Sequence, residues 1–208
     1  FTLSIIVGLA IAITGTIFAN PILNLFGASE NTLFYAKEYI GIILLGCTFN
    51  ILSFALNSTV RADGNPKMSS ITMVIGCGAN IILDYLFIFV LNLGVKGAAL
   101  ATIISQAITF FIILYYYTAG NSNLKLKIEN FKLKKHLVTM TFAIGIAPFA
   151  TQIANSLVQV IANNALKTYG SDLAIGAMTV ISSLNIIFMM PIFGINQGCQ
   201  PIIGFNYG

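Results

Sequence analysis

The chain has 208 residues, of which 57% are hydrophobic and only 8% charged, with a formal net charge of +4. Soluble domains carry about 25% charged residues, so this balance, with a mean hydropathy of +0.91, excludes an ordinary soluble domain and points to a membrane protein. The positive charge is no nucleic-acid signature, because the few basic residues fall between apolar segments and no basic patch is interleaved with aromatics.

Six apolar segments follow one another, at 1–26, 34–60, 69–91, 97–118, 137–166 and 173–203. Each is about 20 residues or longer, enough at about 1.5 Å per residue to cross a hydrocarbon core of about 30 Å. A spanning segment must satisfy its own backbone hydrogen bonds, so the segments are expected to be helices. They lack the short alternating pattern of a β-barrel. The expected fold class is therefore all-α, a polytopic membrane bundle of about six transmembrane helices. The breaks "FGASENT" (26–32), "RADGNPK" (61–67), "NLGVKG" (92–97) and "YGSD" (169–172) carry Gly with Asn, Asp, Ser or Pro. The long break, 119–136, holds five lysines and reads as the junction between two bundles. The chain starts at Phe1 inside an apolar run, without a signal peptide, and stops in a helix-like stretch, so an internal piece of a longer protein is expected. No internal repeat is visible.

Breaks must alternate sides of the membrane. One side receives Arg61, Lys67, Lys125, Lys127, Lys132, Lys134 and Lys135; the other receives Lys37, Lys96 and Lys167. The positive-inside rule predicts that the first side, with the lysine-rich break, is cytoplasmic.

Asp84 is the one acidic residue deep in an apolar segment; Glu30, Glu38, Asp63, Glu129 and Asp172 read as solvated loop charges. An acid at the centre of a spanning helix costs roughly 2.5–3.5 kcal/mol and is tolerated beside a partner or a wet cavity. Asn80, four residues earlier, shares its helix face. The third and fourth segments form a hairpin around Leu93–Gly94, and Thr102 lies as far after that turn as Asp84 lies before it. Gly97, Ala98, Ala99 and Ala101 let the two backbones approach. Carboxylate, amide carbonyl and hydroxyl oxygens then suit Na⁺ or a proton held on Asp84. The competing reading is a structural acid, hydrogen-bonded and permanently neutral. By residue counting Asn57 lies nearer the cytoplasmic end, so spacing alone leaves it out of this set.

The fifth segment carries Gln152, Asn155, Gln159, Asn163 and Asn164, and the sixth Asn185, Asn196, Gln197 and Gln200; such amides suit the wall of a wet cavity, and packing explains any single one equally well. Phe188, Met189 and Met190 offer an adaptable apolar surface. Pro148, Pro191 and Pro201 interrupt backbone bonding within their segments. Cys47, Cys77 and Cys199 read as small buried apolar residues, and His136 as a solvated loop residue, so no metal or catalytic cluster is expected.

The stretch "RADGNPKMSSITMVIGCGANIILDYLFIFVLNLGVKGAALATIISQ", followed by "PIFGINQGCQPIIGFNYG", resembles the multidrug and toxic compound extrusion (MATE) transporters over helices three to eight of a twelve-helix protein. The resemblance implies two six-helix lobes around a cavity: N-lobe helices over 1–118, a cytoplasmic linker over 119–136, and the start of the C-lobe over 137–208. It implies a cell-membrane antiporter, working as a single chain, that exports amphipathic, often cationic, compounds against inward H⁺ or Na⁺. No cofactor beyond the coupling ion and no enzymatic activity are implied. By motif position it assigns the cation site to Asp84, Asn80, Thr102 and Asn57, with Gln152, Asn155, Asn185, Met189, Gln197 and Gln200 as candidate substrate-cavity residues. A further Asp of that site belongs to the family's first helix, outside this sequence, and no Glu stands near Asn155 and Ser156 where some relatives carry one. A flippase for a lipid-linked precursor is the alternative; it needs several basic residues in the cavity to hold phosphates, and none is expected deep in a segment. A membrane enzyme or a purely structural subunit fits less well.

Overall fold

The computed structural model describes residues 1–28, 30–120, 122, 124, 131–170 and 172–207, and at 30, 31, 167, 172, 201 and 205 the backbone alone. Lys125, Lys127 and Glu129, with most of the lysine-rich break, therefore lie outside the described residues. So do the side chains of Glu30, Lys167 and Asp172.

The apolar segments are helices, as expected: α1 (Thr2–Ile17), α2 (Ala19–Leu25), α3 (Glu30–Ala62), α4 (Pro66–Asp84), α5 (Gly94–Thr118), α6 (Lys135–Tyr169) and α7 (Asp172–Tyr207). Five helices are long and apolar enough to cross a membrane, and a sixth span results if α1 and α2 count as one bent pair. Helices extend a few residues into the polar breaks, because Asn, Asp and Gly serve there as caps. At the turn between α3 and α4 the Asn65 N–H bonds the Val60 carbonyl (3.2 Å) and the Gly64 N–H that of Arg61 (3.1 Å). This is a Schellman ending, and it requires the left-handed backbone that Gly64 adopts (φ +84°). The Asn65 side chain then caps the next helix by accepting from the Met68 N–H (3.1 Å), with Pro66 in the first turn.

Two departures from straight helices were not expected. The first span bends by 78° at Phe18, between α1 and α2. Pro21 explains it: its nitrogen cannot donate to the Ile17 carbonyl, and its ring crowds that oxygen. The third span ends in a π-helical turn, Tyr85–Val90, where the Leu91 N–H reaches back five residues to Leu86 (2.9 Å). It begins directly after Asp84.

α3 and α5 form the centre, flanked by α1 and α4. Leu52, Leu56 and Val60 of α3 pack against Phe110, Ile113, Tyr116 and Tyr117 of α5. The α4–α5 hairpin closes tightly, as its small residues predict: a methyl at Gly97 would stand 2.9 Å from the backbone of Phe87, and Ala99 and Ala101 are fully buried. At the linker end, Asp63 accepts from the Tyr116 hydroxyl (2.9 Å) and from Ser122 (2.8 Å), and Thr2 donates to the Phe131 carbonyl (2.9 Å). At the opposite end, Asn163 and Asn164 of α6 donate to the carbonyls of Phe26 (3.2 Å) and Leu25 (2.8 Å).

Three sequence expectations are corrected. Glu38 is not a loop charge: it sits on α3 and pairs with Lys96 at 2.9 Å. Asp63 is held by the two hydroxyls just named. Cys77 and Cys199 are exposed on α4 and α7, while Cys47 alone is partly buried, its thiol donating to the Gly8 carbonyl (3.2 Å).

Candidate ion site and cavity

The α4 face that carries Asn80 also carries Asp84, one turn on, at the last residue before the π-helical turn. Asp84 is half buried. Its Oδ1 is shielded from solvent and has no hydrogen-bond partner among the described residues. Buried polar oxygens are almost always paired, and an unpaired one costs about 1–3 kcal/mol. The structure thus shows an acceptor without a donor, the arrangement expected of a site that a mobile ion or proton completes.

A cavity of about 310 Å³ reaches Asn80, one turn before Asp84, and Asp84 itself is not among the residues that line it. Asn80, Asn57 and Thr102 all line it, from α4, α3 and α5 respectively. Asn57 thus shares the cavity with the other two, which residue counting from its depth did not suggest. The Asn80 amide makes no hydrogen bond among the described residues. The Thr102 hydroxyl donates to the Ala98 carbonyl (2.9 Å), which leaves its lone pairs available. Asn57 differs. Buried at 5% exposure, its Oδ1 accepts from Ser69 Oγ (2.6 Å) and Arg61 Nη1 (3.0 Å), and its Nδ2 donates to the Ser69 carbonyl (3.2 Å). Its oxygen is already engaged twice, so Asn57 shapes the cavity wall in this conformation.

The remaining wall is polar on α3 and α5. Asn50, Ser53, Ser105, Gln106 and Thr109 contribute, none of which the sequence reading singled out. Their spacing carries the signal: Ser105 and Thr109 follow Thr102 at helical intervals, and Asn50, Ser53 and Asn57 do the same on α3. Of the candidate substrate residues on the last two helices, Gln197 lines this cavity. Gln200 lines a second one of about 720 Å³ toward the linker end. Gln152, Asn155, Asn185 and Met189 are exposed and line neither.

No Lys or Arg was expected deep in a segment, and Arg61, in the last turn of α3, nonetheless lines the cavity. It was read as a loop charge, but α3 continues through it, and its place four residues after Asn57 turns it onto the cavity-facing side.

The chain resembles proteins of known kind. The MatE family model matches residues 1–86. The multidrug export protein MepA of Staphylococcus haemolyticus is 35% identical over 98% of this chain and 45% of its own length. MepA of Staphylococcus aureus is 31% identical over the same shares. Among solved structures, the MATE multidrug transporter DinF-BH superposes with a TM-score of 0.87 at 38% identity, covering 98% of this chain and 47% of that one. An inward-facing MATE transporter of the MOP superfamily matches at 0.84 and 26%, over 92% of this chain and 44% of its own. The chain thus spans less than half the length of the relatives it matches. With this identity over nearly its whole length, and the same all-helical arrangement, these matches support the chain as part of a MATE family protein.

Proposed function

We propose that this chain supplies the cation site and part of the substrate path of a multidrug exporter driven by inward H⁺ or Na⁺. The observation that carries the reading is the buried, unpartnered oxygen of Asp84, one helical turn from Asn80, which lines a cavity with Thr102. A carboxylate with no fixed counter-charge is neutral when a proton or a cation sits on it and costly when empty. Loading and unloading that group can then bias a rocking motion of two lobes about the cavity. Residues 1–118 form the N-lobe part, 119–136 a cytoplasmic linker, and 137–208 the start of the C-lobe, in the cell membrane of the organism that makes it. The relatives' description as multidrug exporters supports small amphipathic substrates, often cationic, and a transporter in place of an enzyme.

The test is Asp84→Asn in the whole protein, reconstituted in vesicles under separate pH and Na⁺ gradients. Asp84→Asn is expected to insert normally and to lose gradient-driven efflux of a fluorescent cation. Undiminished efflux by that variant would rule out this role for Asp84. The gradient that drives the unmodified protein identifies the ion. A lipid-linked-precursor flippase is second: Arg61 provides one basic group in the cavity, whereas gripping a diphosphate takes several.

A further inference from the structure

Arg61 lies where the two cavities meet. It lines the one of about 310 Å³ that holds Asn57, Asn80 and Thr102, and also the one of about 720 Å³ toward the linker end. Its Nη1 donates to Asn57 Oδ1 (3.0 Å) and Ser69 Oγ (3.2 Å), and its Nη2 to Ser58 Oγ (3.0 Å). All three acceptors are neutral, and no carboxylate among the described residues lies within ion-pair distance of it. A guanidinium in a partly buried setting normally finds an acid. Here side-chain dipoles fix its plane, with no ion-pair partner for its charge among the described residues. A guanidinium has five N–H donors, and three bonds leave donors free for a ligand.

We propose that Arg61 is an anion subsite at the linker-side mouth of the cavity, which receives the carboxylate or phosphate of an amphiphile whose apolar body lies against Phe54 and Met73. The inference rests on the exporter reading, because it takes the cavity to be the substrate path, and it refines the substrate class. Cargo that carries an acidic group as well as an apolar body, zwitterions included, is favoured over a purely cationic molecule. The fixed positive charge repels a cation at this end, and the polar wall at Asn80 and Thr102 leaves room for the cargo's other polar groups. Asn57, Ser58 and Ser69 act as positioning residues that hold the guanidinium plane.

Two dyes with one xanthene body separate the contributions: a rhodamine ethyl ester, which is purely cationic, and the corresponding free acid, which is zwitterionic. Binding of each to the whole protein is measured at low salt in phosphatidylcholine vesicles. The free acid is expected to bind roughly tenfold more tightly than the ester, as a charge-assisted fork contact would give. In Arg61→Gln that preference disappears, because the free acid loses affinity and the ester, no longer repelled, binds at least as tightly as before. In Arg61→Lys, which keeps the charge and loses the fork, part of it survives. Equal affinity for the two dyes in the unmodified protein overturns the subsite, whatever the variants do. So does a preference undiminished in Arg61→Gln or, should that variant not fold, in Arg61→Lys. Binding of neither dye overturns the exporter reading and the subsite with it, whereas ester binding without a preference overturns the subsite alone. Repeating the comparison with phosphatidylglycerol in the vesicles distinguishes the anion's source. Loss of the preference there assigns the subsite to a lipid headgroup, and persistence assigns it to a soluble amphiphile.

Discussion

Asn57 and Asn80 are the same residue type on one cavity wall and do opposite work. Asn57 is buried and bonded through both ends of its amide. Asn57→Ala would leave the buried Ser69 hydroxyl without its acceptor and take one of two acceptors from Arg61 Nη1, and is expected to destabilise the protein by about 1–3 kcal/mol. Asn80 makes no hydrogen bond among the described residues, so Asn80→Ala is expected to change stability by less than about 0.5 kcal/mol while weakening coupling-ion affinity. Thermal melting in detergent, set beside the ion dependence of efflux, checks both halves; the reverse pattern would exchange their roles. That Asn80 and Thr102 share a cavity wall was legible from sequence, because one tight hairpin brings their helices together; Asp84 was conspicuous as a lone acid in an apolar run, but it does not line that cavity. Arg61 was not legible. A charged residue next to "ADGNP" looks like a loop, and only the Schellman ending at Gly64 shows that the helix has not yet stopped there.

At the scale of single helices, sequence patterns located the spans and missed their irregularities. Six apolar segments became six spans, the bent pair counted as one, because twenty apolar residues in lipid have few alternatives to a helix. The 78° bend was missed because attention to prolines fell on Pro148, Pro191 and Pro201, whereas Pro21 sits in a run short enough to read as a helix end. α6 and α7 are each a single helix through their prolines. Pro21→Ala restores a donor to the Ile17 carbonyl and is expected to straighten the α1–α2 break. Spin labels near Thr2 and Leu25 would then move apart, and an unchanged separation would assign the bend to packing. The π-helical turn was invisible because it is a property of backbone register that side-chain periodicity does not record. The α4–α5 hairpin is the strictest element. Gly97→Val would push side-chain atoms into the Phe87 backbone and is expected to lower stability by about 1–3 kcal/mol, read as a fall in melting temperature.

For the molecule as a whole, α3 and α5 were not identifiable as the centre from composition, since every span is similarly apolar; which helix is buried depends on pairings that one sequence does not reveal. The contact between α6 and the end of α2 was equally hidden, because Asn163 and Asn164 look like any surface amides. That contact ties the first span to the helix after the linker, at the end away from the lysine-rich break. Its acceptors are main-chain oxygens at the end of a helix, groups that no substitution at Leu25 or Phe26 can delete, so only its donors are open to mutation. Each such bond is worth about 0.5–1.5 kcal/mol. Replacing both asparagines by alanine therefore moves an open-to-closed ratio at that face by roughly tenfold or more, which distance measurements across the face would register. On the exporter reading proposed above, these two amide groups would set how firmly that face stays closed, and variation at these positions would retune the cycle without touching the proposed ion and cargo sites.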